Sequence, residues 1–185
     1  MHTTRNKQIK KPLTSAPRKR CSSRTTGKFI KYVLLVYILI IMVAIKISRT
    51  AFYELMYQLS SKPAERGGIL LGPTGTNYIT HFYFDRSGVC TGGTYSPDYT
   101  TLNRRMRQQW RPSGLELKGF VHSHAGNLDQ LTAGDMSYIK KLLSKNPHMN
   151  MFIAPIVVPN QHRIQPYIIS RDSMNYAQRA HFEFF

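Results

Sequence analysis

Residues 119–124 read Gly-Phe-Val-His-Ser-His, and residues 131–135 read Leu-Thr-Ala-Gly-Asp. Successive side chains of a β-strand point to opposite faces at about 3.3 Å per residue, so His122 and His124 project from one face roughly 6.6 Å apart. Both imidazoles can bind one metal ion, and Asp135 can add an oxygen ligand once the intervening loop folds back. Two nitrogen ligands and one oxygen ligand leave a fourth tetrahedral position for water, which is typical of a catalytic zinc site. The stretch therefore predicts a zinc-dependent hydrolase.

Thr132 and Asp135 have the spacing of a helix capping box. Thr132 is the expected N-cap, and Asp135 is the third residue of a helix that continues through Leu143. The partial positive charge of a helix N-terminus favours an ionised Asp135, which is the form that binds a metal. The alternative is that both residues only cap the helix and that the histidines are structural. Four matched positions within 14 residues favour the metal site.

The composition limits what can surround this site. A chain of 185 residues has room for one domain of ordinary size and a modest extension. The formal net charge is +17, but residues 1–49 hold 12 of the 26 lysine and arginine residues and none of the nine acidic residues. A basic arm is typical of targeting, membrane contact or disorder, so the charge does not indicate nucleic-acid binding as the main function. Cys21 and Cys90 are too far apart for a ligand pair, which predicts two reduced thiols, with Cys90 buried and inert.

The first 45 residues divide into two segments of opposite character. Residues 1–28 carry nine lysine or arginine residues, eight serine or threonine residues and no acid, a composition typical of disorder. Residues 29–45 are apolar except for Lys31, and a run of about 17 residues is at the lower limit for a membrane-spanning helix. One interpretation is therefore a membrane anchor. The positive-inside rule would then keep the arm in the cytoplasm and place the metal site on the far side.

Other interpretations of this region stay open. Residues 43–48 can instead form the first strand of a catalytic domain over 43–185, which leaves about 14 apolar residues, too few to span a bilayer. The segment can also be a signal or transit peptide, although no small-residue cleavage site is obvious. Met42 can be the natural start, which would make the preceding residues a translated leader. The expected location is accordingly cytoplasmic or membrane-anchored, on a side that the sequence leaves open.

The body alternates helices and strands, which predicts an α/β fold with a mixed sheet flanked by helices. Apolar residues at helical spacing predict one helix over about 49–61, capped by Ser48, and another from Ser96-Pro97 to Trp110. A turn at 72–75 joins two apolar runs into an expected hairpin. The expected strands are 67–71, 78–85, 117–123, 151–158 and 163–170, and a short helix is expected from Asp172.

A zinc hydrolase also needs a group that takes a proton from water and gives one to the leaving amine. Glu65 is the strongest candidate, because it precedes the run Gly-Gly-Ile-Leu-Leu-Gly at 67–72, whose glycines permit close backbone approach at a strand entry. Taken alone, a glutamate there is more often a surface carboxylate. The other acidic candidates before Asp172 are Glu54, Asp85, Asp98, Glu116 and Asp129.

Glu65, His122, His124, Thr132 and Asp135 together resemble the JAMM motif of the JAB/MPN metalloenzymes. That motif is an upstream glutamate, then H-x-H, seven residues, a serine, two residues and an aspartate. The resemblance covers roughly residues 43–170, points to the compact prokaryotic branch, and implies an MPN/JAB fold with a cytidine-deaminase-like architecture. It implies that His122, His124 and Asp135 hold one catalytic zinc ion. Glu65 would be the general acid/base, and Thr132 would hydrogen-bond the oxyanion or the water.

Members of the wider family cleave peptide or isopeptide bonds, commonly after the C-terminus of ubiquitin or ubiquitin-like proteins. The resemblance thus implies a protein or peptide substrate, with a ubiquitin-like tail as one candidate; the alternative is a catalytically silent MPN-type scaffold or binding module. Two positions depart from the family pattern. Thr132 replaces the usual serine and adds a methyl group that restricts its rotamers, and Ala125 replaces a frequent proline, which we expect to loosen the loop after His124.

Overall fold

The computed structural model describes residues 43–60, 65–91 and 93–185 of the chain. Helix α1 spans Arg49–Ser60, α2 spans Tyr99–Arg105 and continues into a π-helical turn at Met106–Trp110, and α3 spans Ala133–Lys145. Short 3₁₀ turns lie at Pro159–Gln161 and Arg171–Ser173. The strands are β1 Val43–Ile47, β2 Gly67–Pro73, β3 His81–Phe84, β4 Val89–Thr91, β5 Thr94–Ser96, β6 Leu115–Ser123, β7 Met151–Ile153, β8 Ile156–Val158, β9 Arg163–Gln165, β10 Tyr167–Ser170 and β11 Gln178–Phe184.

Nine of these strands form one mixed sheet with β6 in its interior. The main order is β1-β11-β10-β7-β6-β2-β3, while β8 also pairs with β6 and with β9. Strand β1 is parallel to β11, and β6 is parallel to β7 and β8, whereas the remaining neighbours are antiparallel. Strands β4 and β5 form a separate hairpin. The predicted α/β fold, a mixed sheet flanked by helices, is confirmed.

The sheet separates two hydrophobic cores, one on each face. Leu70 of β2 packs in the core that includes Leu55 and Leu59 of α1. Its neighbours on the strand, Ile69 and Leu71, pack in the other core, which also contains residues of α2 and α3. Because side chains alternate between the faces of a strand, β2 is apolar along its length and serves both cores. The helices therefore form layers on both faces of the sheet.

The strand that was one interpretation of residues 43–48 is present as β1. Ile45 and Ile47 are buried, and β1 pairs along its whole length with β11. The basic arm (1–28) and the apolar segment up to Met42 lie outside the described residues, and so do the anchor, leader and start-site interpretations. Within the part of the chain that the structure describes, no helix is long and apolar enough to cross a membrane.

The last third of the chain corrects two predictions. The strands expected at 151–158 and 163–170 are each divided by a proline, because Pro155 and Pro166 lack the N–H group that a continuous ladder requires. The helix expected from Asp172 is wrong, since a 3₁₀ turn there leads into β11. Ala180 and Phe182 of that strand alternate with polar residues and join the core beneath α1, which is a period of two rather than 3.6.

The helix predicted from Ser96-Pro97 begins later, at Tyr99. Ser96 belongs to β5, and the N-cap is Asp98, whose side chain accepts a hydrogen bond from the Thr101 amide at 3.1 Å. An aspartate at this position stabilises the start of a helix, because its side chain satisfies a backbone amide that has no partner within the helix. The hairpin β4–β5 immediately before it was not predicted from the sequence. Its position is important for the site, because it brings Tyr95 next to His122.

Candidate metal centre

The two histidines lie at the carboxyl end of β6, in the interior of the sheet. His122 is opposite Gly67 of β2 on one side and Ile156 of β8 on the other. The amide of His124 donates to the carbonyl of Val157 at 2.9 Å. Both histidine side chains are buried, with 4% of each residue exposed. Backbone pairing on both sides fixes the direction of the two side chains, as a precisely positioned site requires.

The capping box predicted for α3 is present and places Asp135 at the histidines. The Asp135 amide donates to Thr132 Oγ1 at 3.2 Å, and Asp135 Oδ2 accepts from the Thr132 amide and from its hydroxyl, each at 2.7 Å. Asp135 Oδ1 lies 3.2 Å from His122 Nε2, and Oδ2 lies 3.6 Å from His124 Nε2. The motif that begins the helix therefore also holds the carboxylate beside both imidazoles.

The three side chains form a cluster that could hold a metal ion. The Nε2 atoms of His122 and His124 are 2.8 Å apart, and the potential ligand atoms of the two histidines and Asp135 all lie within 4.8 Å of one another. Ligand atoms about 2.0–2.1 Å from a tetrahedral zinc ion are separated by roughly 3.3 Å. The two Nε2 atoms are closer together than this, and the distances from the Asp135 oxygens to the histidines, 3.2 and 3.6 Å, lie on either side of it, so the imidazoles would have to move slightly apart to bind such an ion. Each Nδ1 is buried and has no hydrogen-bond partner in the described parts of the chain.

The electrostatics of the cluster favour an ionised Asp135. Burial alone raises the pKa of this carboxyl, but hydrogen bonds from the side chains of His122 and His124, the charge on His122 and the Thr132 amide outweigh it. The net effect is a pKa well below the usual range of aspartate. A carboxylate and two imidazoles in this arrangement are ligands that zinc accepts.

Glu65 lies beside the cluster, although it is 57 or more positions away in sequence. Its amide donates to the carbonyl of Ser123 at 3.0 Å, and its Oε1 accepts from the amide of Ala125 at 3.2 Å. The residue is buried, with 7% exposed, and its φ of 64° is in the left-handed region. A non-glycine residue held there costs about 1–3 kcal/mol and is common at functional sites. The surface-carboxylate interpretation of Glu65 does not hold.

The substitution at Ala125 has a consequence that the sequence did not indicate. Its amide is the donor to the Glu65 carboxylate, and proline has no N–H group with which to make this bond. The alanine thus allows a hydrogen bond between the loop after His124 and the segment before β2, whereas the sequence predicted only a looser loop.

The other acidic candidates have different roles. Glu54 is exposed on α1, Asp98 caps α2, Glu116 pairs with the buried Lys118, Asp129 pairs with Arg163 and Arg179, and Asp85 accepts a hydrogen bond from Tyr95. None of these five belongs to the three-residue cluster found among the described residues. Glu65 is accordingly the acid that the fold brings next to the strand that carries His122.

Tyr95 is a site residue that sequence reasoning missed. Its ring is nearly parallel to that of His122, with 6.5 Å between centroids and an interplanar angle of 25°. Burial, with a further contribution from the charge of Asp85, raises the pKa of the Tyr95 phenol well above its usual value, so the phenol stays protonated. Tyr95 belongs to no recognisable sequence motif, so the sequence did not indicate its place beside the site.

The prediction that Cys90 is buried is wrong. Cys90 is exposed on strand β4, which pairs with the strand that carries Tyr95.

Comparisons with known proteins give a likeness of fold. No protein-family model matches the sequence, and no curated protein matches it. Among solved structures, the chain is similar to protein DSY2949 from Desulfitobacterium hafniense, with a TM-score of 0.56, 15% identity, and coverage of 76% of this chain and 92% of that one. It is also matched with AF2198, a JAB1/MPN domain protein from Archaeoglobus fulgidus, at a TM-score of 0.43, 16% identity and coverage of 77% and 98%. A protein from Salinibacter ruber matches at a TM-score of 0.47, 16% identity and coverage of 72% and 87%. The likeness to DSY2949, above 0.5, shows a shared fold.

Proposed function

We propose that this chain is a zinc-dependent metallopeptidase or isopeptidase of the JAB/MPN type, which hydrolyses an amide or isopeptide bond. The observation that carries the proposal is the convergence of His122, His124 and Asp135, with the buried Glu65 carboxylate tied to the residue that follows His124. Three ligands from a strand and a helix start leave room for water, which distinguishes a catalytic site from a closed structural one.

Zinc is the metal that this ligand set suits best. Two imidazole nitrogens and one carboxylate match known catalytic zinc sites, and the potential ligand atoms of these three residues lie within 4.8 Å of one another. When bound, the ion would supply Lewis-acid chemistry, lowering the pKa of a water molecule and polarising the carbonyl of the substrate. His122, His124 and Asp135 would hold it.

Glu65 is proposed as the general acid/base. Its carboxylate would take a proton from the attacking water and give a proton to the leaving amine. The hydrogen bond from the Ala125 amide uses one oxygen, Oε1, and orients the group. A buried carboxylate that is oriented through one oxygen is suited to carry a proton between two positions on the other.

Thr132 is proposed as the hydroxyl that assists near the carbonyl oxygen. A hydroxyl has a single proton, and here it goes to Asp135 Oδ2 at 2.7 Å. The hydroxyl can donate to an oxyanion only if its hydrogen bond to Asp135 is broken. The primary role we assign to Thr132 is to hold Asp135 in position, and a serine at this position would do the same.

The substrate class we propose is a protein or peptide, with the C-terminal tail of a ubiquitin-like protein as the first candidate. This proposal follows from the resemblance of the five motif residues, Glu65, His122, His124, Thr132 and Asp135, to the JAMM pattern. Membrane attachment is a separate proposal; it would have to involve residues 29–42, which lie outside those described, because residues 43–45 belong to β1.

The test combines metal analysis with hydrolysis by the full-length chain. We expect about one zinc ion per chain, its loss in His122→Ala, and its retention in His148→Ala, which changes an exposed histidine. Glu65→Gln should keep zinc but lose cleavage of ubiquitin-like fusions extended beyond a C-terminal Gly-Gly, whereas Glu54→Gln, at an exposed position, should cleave normally. Zinc without any cleavage across such fusions and peptides would favour the silent binding module. Near-normal cleavage by Glu65→Gln would remove the proposed mechanism.

A further inference from the structure

The imidazole of His122 lacks the support that usually orients a metal ligand. Metal-binding histidines commonly donate their second ring N–H group to a carboxylate, a carbonyl or water, which fixes the ring and its tautomer. The Nδ1 atom of His122 is buried and has no such partner among the described residues. Its neighbours are rings instead: the centroid of His124 lies at 4.6 Å, that of Phe120 at 5.7 Å and that of Tyr95 at 6.5 Å, with the Tyr95 ring nearly parallel to the imidazole.

Tyr95 is itself held rigidly. Its hydroxyl donates to Oδ2 of Asp85 at 2.9 Å, and the same oxygen accepts the amide of Asp98, also at 2.9 Å. Asp85 is 4% exposed, and its own amide donates to the carbonyl of Gly67 at 3.0 Å. The amide of Ser87 donates to the other carboxylate oxygen, Oδ1, at 3.3 Å. A buried carboxylate that receives three donors is a strong anchor, because hydrogen bonds to a carboxylate are stronger than those between neutral groups.

The close approach of Tyr95 to the sheet depends on Gly67. A Cβ atom at this position would lie 2.3 Å from Tyr95 Cε1 and 2.8 Å from Cζ, far inside van der Waals contact. Gly67 is also the residue opposite His122 across the β2–β6 pair. The glycine therefore leaves the space through which a ring from the separate hairpin β4–β5 reaches the histidine.

We propose that Tyr95 and Asp85 form a positioning pair, in which the anchored ring of Tyr95 fixes the imidazole of His122 for metal binding in place of a hydrogen bond to Nδ1. The inference rests on the proposed function, since it takes His122 as a ligand. Neither residue belongs to the cluster of His122, His124 and Asp135. Both act through His122, and the pair explains why a hairpin outside the main sheet lies against the metal-binding strand.

The test measures Co²⁺ affinity of the full-length chain and the visible spectrum of bound cobalt, which reports coordination geometry. Tyr95→Leu removes the ring, Tyr95→Phe removes only the anchor to Asp85, and Asp85→Ala removes the anchor from the other side. Tyr83→Leu is the matched control, because Tyr83 is also a half-buried tyrosine with an aromatic neighbour, Trp110, at 5.1 Å. Thermal unfolding of each variant checks that the fold is retained.

Outer groups that orient a ligand typically change metal affinity by about 10–100-fold when they are removed. We expect Tyr95→Leu to weaken cobalt binding by that factor and to alter the spectrum, Tyr95→Phe and Asp85→Ala to weaken it less, and Tyr83→Leu to bind normally. Wild-type affinity and spectrum in folded Tyr95→Leu would refute the positioning pair alone. Failure of the unmodified chain to bind cobalt would remove the metal site and, with it, this role of Tyr95. The two outcomes are distinct, because the first leaves the proposed function intact.

Discussion

Replacement of Thr132 by alanine should lower the stability of the chain even without metal, because one hydroxyl makes two hydrogen bonds at the start of α3. It accepts from the Asp135 amide at 3.2 Å and donates to Asp135 Oδ2 at 2.7 Å. Loss of an N-cap costs about 0.5–2 kcal/mol, and loss of a hydrogen bond to an ionised group costs about 1.5–3 kcal/mol. Since Thr132 is exposed, both contributions belong near the lower ends of these ranges, and we expect a total of about 2 kcal/mol.

For a domain of this size about 2 kcal/mol lowers the melting temperature by about 4–8 °C. Thermal unfolding of the metal-free chain, followed by circular dichroism, measures the change. Thr132→Ser keeps the hydroxyl and should stay within about 0.5 kcal/mol of the parent chain, and Ser137→Ala, at an exposed position of the same helix, is the control for removing a hydroxyl. A melting temperature unchanged in Thr132→Ala, or lowered equally in Ser137→Ala, would refute the double role of this hydroxyl.

Two further substitutions test the surroundings of the site. Ala125→Pro removes the amide that donates to Glu65, which should lower the free energy of unfolding by about 1.5–3 kcal/mol. The stiffer unfolded chain offsets only about 0.4–1 kcal/mol of this, so we expect urea unfolding to show a net loss of about 1–2 kcal/mol. A stability equal to or greater than that of the parent chain would contradict the hydrogen bond. Gly119→Ala would place a Cβ atom 1.7 Å from the backbone oxygen of Ile153, which cannot rotate away, and we expect a loss of at least about 3 kcal/mol by the same measurement. Gly134→Ala, whose Cβ atom meets only Thr132 Oγ1 at 3.5 Å, is the control that should not destabilise the chain.

The parts of the site that are close in sequence were predictable. His122 and His124 share a face because of strand alternation, and Thr132 with Asp135 forms a capping box because of helix geometry. Each depends on a period or spacing within a few residues. The elements that carried such a pattern, including α1 and the β2–β3 hairpin, were also predicted at nearly their observed positions.

Errors in the fold arose where a local signal was weak or was overridden. Pro155 and Pro166 interrupt apolar runs that otherwise look continuous, and only the pairing partners show where each strand ends. The helix expected near Asp172 gave way to β11, because the long pairing with β1 and the core beneath α1 favour an extended segment there. Contacts between the two ends of the described chain decide this, and no window of sequence contains them.

The sequence by itself determined the chemistry available at the site, namely two imidazoles on one strand face and a carboxylate at a helix start. Only the tertiary structure decided which distant groups join them. Glu65 reaches the site through its bonds to Ser123 and Ala125, and Tyr95 reaches His122 from a separate hairpin. The physical reason is that periodicity and capping act over a few residues, whereas these approaches depend on how strands pair and which side chains leave room across the sheet.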